Sequence, residues 1–201
     1  MLIEIHPDNP GEKKIAQAVE VLRQGGLVIY PTDTIYGIGC DMFNAKAVER
    51  VCKFKGINPQ KNTLSIICQN ISHISKYAKV SQRIFELLKS NLPGAFTFIL
   101  PGSNQLPAVF KNRKVVGIRV PNNKIMLNLV TELGNPILTT SIHHDDDDTE
   151  HYCDPELIDE QYRNEVDLVI NGGYGHCEPS TIVDCCGNEP VITRQGLGEL
   201  Q

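Results

Sequence analysis

Residues 31–41, PTDTIYGIGCD, bring hydroxyl groups and glycines together directly after a short apolar run. Thr32, Thr34 and Tyr36 supply the hydroxyls, and Gly37 and Gly39 allow another group to approach the backbone closely. Ligands of open α/β sheets bind beyond the ends of strands, so this segment is a candidate binding loop. A strand that leaves the sheet through a glycine turn has a similar pattern, so the segment by itself does not identify a ligand.

Arg119 lies inside the apolar segment GIRVP. Burying a guanidinium group without a partner is costly, so Arg119 must meet a carboxylate or a phosphate of a ligand, or an internal acid. The planar guanidinium matches the two oxygens of a carboxylate, which makes a bound amino acid one of these alternatives.

Hydroxyl and basic side chains also stand at the ends of other apolar segments. Thr139 and Ser141 end the run PILTTS, Ser180 begins PSTIVD, and Arg194 ends VITR. The chain has no GxxxxGK[ST] pattern, which argues against a P-loop, and no GxSxG pattern, which argues against a hydrolase nucleophile at Ser141.

The histidines and aspartates of residues 143–151 match no closed metal-site spacing. His143, His144 and His151 flank a run of four aspartates at 145–148, which is typical of a solvated loop. We therefore assign no metal ligands.

The charge of the chain is distributed very unevenly. Residues 46–124 contain 14 basic and two acidic residues, a net charge of +12, whereas the remainder carries −17. Lys55 and Lys61 lie in this basic segment and border KGINPQKN, where a lysine is either solvated or in contact with an anion. Such a split indicates a surface that attracts a polyanion.

The apolar pattern places these residues on an α/β fold. Runs at 27–30, 64–68, 96–100, 115–120, 136–141, 167–170, 181–184 and 191–194 predict strands, and 3.6-residue periodicity predicts helices between most of them. Asn44 is a predicted N-cap and Gly134 a predicted helix end. We predict a twisted mixed sheet flanked by helices, in a single domain over residues 1–201 with its core at about 11–197.

Composition limits the cellular setting. No apolar run approaches the roughly 20 residues that cross a bilayer, and the first residues lack the features of a signal peptide. Seven cysteines, an odd number without CxxC spacing, favour a reducing compartment. We expect a cytoplasmic protein without a membrane partner.

The motifs together resemble the YrdC/YciO family. The resemblance runs through PTDTIYGIGCD, KFKG, LPGAFTFIL, GIRVP, ILTTS, PSTIVD and TRQG, and the opening IHPDNP is most similar to the YciO branch. It implies a YrdC-like fold with a concave cationic cleft. It further implies synthesis of L-threonylcarbamoyladenylate from threonine, bicarbonate and ATP, a reaction related to tRNA modification.

The resemblance also implies a role for each candidate residue. Arg119 would hold the threonine carboxylate, and the amino-acid pocket would be shaped by Thr32, Thr34, Tyr36 and Thr139. The nucleotide would be bound by Lys55, Lys61, Ser141, His143, Ser180 and Arg194, and the expected catalytic residues are Lys55, Ser141 and Arg119. ATP would enter as a substrate with Mg²⁺, without a tightly bound cofactor.

Two positions differ from the family pattern and leave three functions open. Ile57 stands where these enzymes carry an arginine, and His143 where they carry an asparagine. The first function is the synthase itself, acting on ATP and L-threonine. The second is a tRNA- or double-stranded-RNA-binding module with weak or no catalysis, and the third is an enzyme that acts on a related adenylate.

Overall fold

One mixed β-sheet organises the chain. The computed structural model describes residues 1–59, 61–110, 114–142 and 152–201. In these residues the strands are β1 (Leu2–Glu4), β2 (Val28–Tyr30), β3 (Gly37–Asp41), β4 (Ser65–Ile67), β5 (Phe96–Pro101), β6 (Val115–Arg119), β7 (Ile137–Ser141), β8 (Leu168–Asn171), β9 (Thr181–Asp184) and β10 (Val191–Arg194).

Six helices connect the described strands. They are α1 (Glu12–Arg23), α2 (Ala45–Lys55), α3 (Ile71–Tyr77), α4 (Gln82–Asn91), α5 (Lys124–Leu133) and α6 (Pro155–Tyr162), and a 3-10 turn follows β5 at Ala108–Phe110. None of these helices is long and apolar enough to cross a membrane.

The sheet contains both parallel and antiparallel pairs. Its strand order is β1-β8-β2-β3-β7-β4-β6-β5-β9-β10. In the sheet, β2 pairs antiparallel with β3, β3 with β7, and β7 with β4, and β4 then pairs parallel with β6. The predicted mixed sheet flanked by helices is confirmed.

The two predicted helix signals act as expected. The Asn44 side chain accepts a hydrogen bond from the backbone N–H of Ala47, which satisfies one of the free amides at the start of α2. Gly134 ends α5 with a φ of 84°, a conformation that glycine adopts without steric cost.

Three elements have no counterpart in the sequence-based prediction: β1, β3 and α3. Strand β3 covers GIGCD, which resembles a turn because of its glycines. Tyr30 explains them: its ring lies over Gly37, and its hydroxyl passes Gly39 to donate to Thr139 on the far side of β3. The group that comes close to the backbone of Gly37 and Gly39 is therefore Tyr30, a residue of the core.

Apolar side chains form a core on each face of the sheet. Ile29, Ile38 and Phe98 belong to one core, which is packed against α2, α4 and α6. The other core contains Val28 and Leu168 together with the buried faces of α1 and α5. No buried residue of β5, β6, β9 or β10 joins this second core, so α1 and α5 leave that part of the sheet face open.

The cysteine pattern gave no indication of a cross-link, but the structure contains one. Cys153 and Cys177 form a disulfide across 24 residues. The five other cysteines are free thiols, and only Cys186 among them is exposed.

We expect Gly39→Ala to destabilise the fold strongly. A Cβ at this position would overlap the Leu138 carbonyl oxygen and the Tyr30 hydroxyl, and neither group has space to move. Overpacking of this kind costs about 3 kcal/mol of unfolding free energy, measurable by urea denaturation. The control is Gly11→Ala, whose Cβ would meet nothing within 4 Å and should change stability by less than about 0.5 kcal/mol. Equal stabilities for the two variants would contradict this packing.

Candidate functional site

A cavity lies on the part of the sheet face that α1 and α5 leave open. Side chains alternate between the two faces of a strand, and Ile66, Phe98, Ile118 and Leu138 are buried in the core on the opposite face. The residues next to them in sequence that line the cavity are Ser65, Thr97, Arg119 and Thr139. The cavity has a volume of about 170 Å³. It is lined by Ile35, Ile57, Thr63, Leu64, Ser65, Thr97, Arg119, Thr139, Thr140, Ser141, Pro179, Ser180, Ile182 and Arg194.

Arg119 forms the charged end of the cavity. Its Nη2 donates to Asp33 Oδ1 at 3.1 Å and to Thr34 Oγ1 at 3.0 Å. Only 12% of the Arg119 side chain and 11% of the Asp33 side chain is exposed, so water screens this pair weakly. Burial lowers the pKa of Arg119, and the adjacent Asp33 opposes that shift.

The Arg119 guanidinium is not fully satisfied by its neighbours. Its Nε atom is buried and has no hydrogen-bond partner among the described residues. An unmet donor at a buried position is costly unless a ligand or a water molecule accepts from it. The internal acid expected as one alternative is thus present, and a donor also remains for a ligand.

The PTDT loop holds Arg119 through a short chain of hydroxyls. Thr32 donates to the carbonyl of Ile35 at 2.8 Å and accepts from the backbone N–H of Thr34 at 3.0 Å. Because the single Thr32 proton is used in this way, the 3.0 Å contact between the two hydroxyls leaves Thr34 as the donor. The lone pairs of the Thr34 hydroxyl then face Arg119.

Thr139 joins the cavity to the neighbouring core. Its hydroxyl accepts from Tyr30 at 2.7 Å, which leaves the Thr139 proton available to donate. Thr140 and Ser141 follow it along β7 and line the same cavity.

The border of the cavity at β5 and β9 is built around Ser180. Its hydroxyl lies 2.8 Å from that of Thr97 on β5. Arg194 donates from Nε and Nη2 to the Ser180 carbonyl, at 3.2 and 2.7 Å. These contacts fix the start of β9 and place a second guanidinium beside the cavity.

Tyr36, predicted to shape the amino-acid pocket, is fully buried in the core and is not among the residues that line the cavity. Its hydroxyl donates to the Gly173 carbonyl at 2.7 Å and accepts from the backbone N–H of Gly172 at 3.3 Å. Burial raises the pKa of Tyr36 to about 12, so it remains a neutral donor at physiological pH. Tyr36 is therefore connected to the cavity indirectly, through the segment that begins at Gly172.

The structure does not gather all of the basic candidates at the cavity. Among the described lining residues the only cations are Arg119 and Arg194, and Lys55 and Lys61 are not included. His143 lies outside the described residues. The cationic character expected for the cleft is therefore not confirmed.

Sequence reasoning missed several residues at the site. Asp33 was not proposed as the partner of Arg119, and Ser65 and Thr97 were not singled out. Ser65 and Thr97 carry a signal, since each is a polar residue at an alternate position of an otherwise apolar strand. Ile57, noted for its departure from the family pattern, lies directly in the lining.

The cavity suits a small ligand with a negative end. Its volume is below the roughly 300 Å³ at which sites for drug-sized ligands begin. This volume is of the size of an amino acid and is too small to enclose a nucleotide. No group of three or more His, Cys, Asp and Glu side chains in the described part of the chain is arranged to hold a metal ion.

A family model places the chain among known proteins. The Sua5/YciO/YrdC model, described as "Telomere recombination", matches residues 20–196. The protein named YciO from Escherichia coli strain K12 is 40% identical over 199 residues, which cover 98% of this chain and 96% of that protein. A threonylcarbamoyl-AMP synthase from Bacillus subtilis is 30% identical over 92% of this chain and 54% of its own length.

Two solved structures share the fold over nearly the whole chain. The crystal structure of E. coli YciO matches with a TM-score of 0.92 and 38% identity, covering 99% of this chain and 97% of that one. The crystal structure of P. abyssi Sua5 complexed with L-threonine matches with a TM-score of 0.86 and 28% identity. That match covers 98% of this chain and 57% of Sua5.

We expect Arg119→Ala and Asp33→Asn to be energetically coupled. Removing either partner leaves a poorly solvated charge and costs about 3 kcal/mol of unfolding free energy. The double variant should lose at least about 1 kcal/mol less than the sum of the single losses, as urea denaturation can measure. Arg83→Ala is the control, because the Arg83–Glu189 pair is exposed and contributes little. Strictly additive losses would show that the buried pair does not act as a unit.

Proposed function

The chain belongs to the Sua5/YciO/YrdC family, and from that premise we propose that it is a nucleotidyltransferase of the L-threonylcarbamoyladenylate synthase type. The observation that carries the proposal is the unsatisfied Arg119 guanidinium at the end of a small cavity lined by hydroxyls. The threonylcarbamoyl-AMP synthases among the relatives, and a related structure that holds L-threonine, support this choice of substrates.

Arg119 is suited to the carboxylate of threonine. Its free Nε proton supplies a charge-assisted hydrogen bond, which is stronger than one between neutral groups. Asp33 and Thr34 hold the guanidinium in place before the ligand arrives, so little conformational entropy is lost on binding. Thr139, Thr140 and Ser141 then supply hydroxyls along the bound amino acid.

The proposed reaction joins three substrates. Threonine and bicarbonate give a carbamate and water, and a carbamate oxygen then attacks the α-phosphorus of ATP. The new oxygen–phosphorus bond forms as the bond to the β-phosphate breaks, and pyrophosphate leaves with the electron pair. Such a transfer depends on alignment and on positive charge at the phosphates, which Mg²⁺ brings with ATP. Ser180 and Arg194 lie where they could position the nucleotide across the mouth of the cavity.

Two observations favour a second candidate, an enzyme that acts on a preformed acyl-adenylate. Ile57 gives the lining an aliphatic side chain that cannot bind a phosphate, and Lys55 and Lys61 are not among the described residues of the lining. The lining does include the guanidinium groups of Arg119 and Arg194, but the charge of Arg119 is already partly neutralised by Asp33. An adenylate carries one phosphate and needs less positive charge than ATP.

RNA binding stays a prediction. Most of the described basic residues in 46–124 lie on or next to helices α2–α4, outside the cavity. The positions of these basic residues therefore give no support for RNA binding at the cavity.

We expect pyrophosphate release with ATP, L-threonine and bicarbonate to be slow and to rise about tenfold in Ile57→Arg. A new charge-assisted contact to a phosphate is worth about 1.5–3 kcal/mol, which exceeds the 1.4 kcal/mol that a tenfold rate change requires. The control is Leu157→Arg on α6, which adds the same charge to a helix packed on the other face of the sheet.

The same assay separates the two candidates. Pyrophosphate that depends on all three substrates supports the synthase. AMP release from preformed threonylcarbamoyladenylate, without pyrophosphate formation in the forward direction, supports the second candidate. If neither product forms in the native protein or in Ile57→Arg, both proposals are wrong.

A further inference from the structure

The segment 172–179 crosses from β8 to β9 and forms one border of the cavity; we call it the strap. Its inner end is fixed to the core by the two hydrogen bonds of Tyr36 to Gly172 and Gly173. Its far end, Pro179, lines the cavity beside Ser180. The position of the strap therefore determines where Pro179 lies in the lining of the cavity.

Hydrogen bonds join the middle of the strap to the rest of the fold. The backbone N–H of Gly175 donates to the Cys153 carbonyl at 2.8 Å, and that of His176 donates to the Thr34 carbonyl at 3.3 Å. The Tyr174 hydroxyl lies 3.0 Å from Asp154 Oδ2, in an exposed contact. The Tyr174–Asp154 contact is exposed, so water competes for it, whereas the two backbone hydrogen bonds end on the buried residues Cys153 and Thr34.

One covalent link adds to these contacts. Cys177, in the strap, is bonded to Cys153, which lies just before α6. Cys153 is 2% exposed, whereas Cys177 is exposed to solvent. The same two segments are thus joined by the Gly175–Cys153 hydrogen bond, the Tyr174–Asp154 contact and the disulfide.

We propose that Cys153 and Cys177 are a reversible thiol–disulfide modification site that determines how firmly the strap is held at the border of the cavity. Cross-linking reduces the freedom of the strap to move away, because it closes a covalent ring between the strap and the segment before α6. Reduction leaves Tyr36 holding the inner end, the hydrogen bond from the Leu197 N–H to the Pro179 carbonyl holding the far end, and exchangeable hydrogen bonds holding the middle.

The exposure of the two sulfurs gives the order of the chemistry. The Cys177 thiolate, having lost its proton to water, attacks a low-molecular-weight disulfide, forms a mixed disulfide and releases one thiolate. Cys153, also as a thiolate, then attacks the Cys177 sulfur and releases the second. Two protein thiols are thereby oxidised by two electrons, and the small disulfide is reduced to two thiols. An excess of a small dithiol reverses both steps.

This inference does not depend on the reaction proposed for the cavity. It concerns the position and mobility of the strap, which can be measured on the full chain without any ligand. A failed synthase assay would leave it unaffected, and a failed redox test would leave the proposed function unaffected.

The test compares the whole protein after equilibration with oxidised glutathione and with dithiothreitol. Exposed Cys186 can itself form a mixed disulfide with glutathione, so thiols are counted by alkylation in denaturant in Cys186→Ser, where four are expected after oxidation and six after reduction. Hydrogen exchange of the amides in 172–179 should be roughly tenfold faster after reduction. The amides of β8 provide an internal reference whose exchange should not change.

Two variants complete the design. Cys177→Ser should show fast strap exchange under both conditions, whereas Cys186→Ser, which removes an exposed thiol elsewhere, should keep the redox response. Six alkylatable thiols in Cys186→Ser after oxidation would overturn the proposal. So would equal strap exchange in the oxidised and reduced wild-type protein, a result that needs no variant to fold.

Discussion

The incomplete cover on one face of the sheet is the constraint on which the site depends. Helices α1 and α5 pack on β2 and β8 and reach Ile137 and Ile67, but their core includes no buried residue of β5, β6, β9 or β10. Side chains on that face of these strands are free to be polar, because nothing apolar covers them. Thr97 on β5 and Arg119 on β6 occupy such positions, and Ser65 on the neighbouring β4 lines the same cavity. On the other face β5, β6 and β9 carry apolar side chains that are packed in the larger core, whereas β10 is exposed.

An open sheet face alone does not stabilise a charge that is largely buried. Arg119 is buried enough that its charge requires a partner, and Asp33 supplies one from the loop after β2. Asp33 also accepts from the backbone N–H of Asn122, which ties the end of β6 to the same carboxylate. One acid thus joins two loops and orients the guanidinium, while the Arg119 Nε keeps no hydrogen-bond partner among the described residues. The structural and the ligand-binding interpretations of Arg119 are therefore compatible.

Much of the fold was accessible from sequence, for a simple reason. Strands such as β4, β6 and β9 are short apolar runs bounded by polar residues, glycine or proline, and the caps at Asn44 and Gly134 are local signals. Strand β3 was missed because its glycines serve Tyr30, a residue from the neighbouring strand. That requirement is visible only when β2, β3 and β7 are seen side by side.

The site was accessible in part. Arg119 stood out because a guanidinium inside an apolar strand needs a partner, but its pairing with Asp33 spans 86 residues and depends on the order of strands in the sheet. Lys55 and Lys61 were proposed from the basic segment and from the family resemblance, and the structure does not bring them into the cavity lining. Charge along a sequence does not specify which face of the fold carries it. The Cys153–Cys177 pair was also missed, because only the folded loops bring the two sulfurs together.

The central claim is that the open part of the sheet face binds an amino acid through Arg119. The most direct measurement is a titration of the ¹⁵N-labelled protein with L-threonine, followed by amide chemical shifts. The account predicts saturable shifts at Ser65, Thr97, Gly117, Arg119 and Thr139, with little change at the opposite end of β5 and β6 near Pro101 and Lys114. Saturable shifts confined to that opposite end, or to the face covered by α2, α4 and α6, would contradict it. A complete absence of saturable shifts at millimolar threonine would contradict it as well.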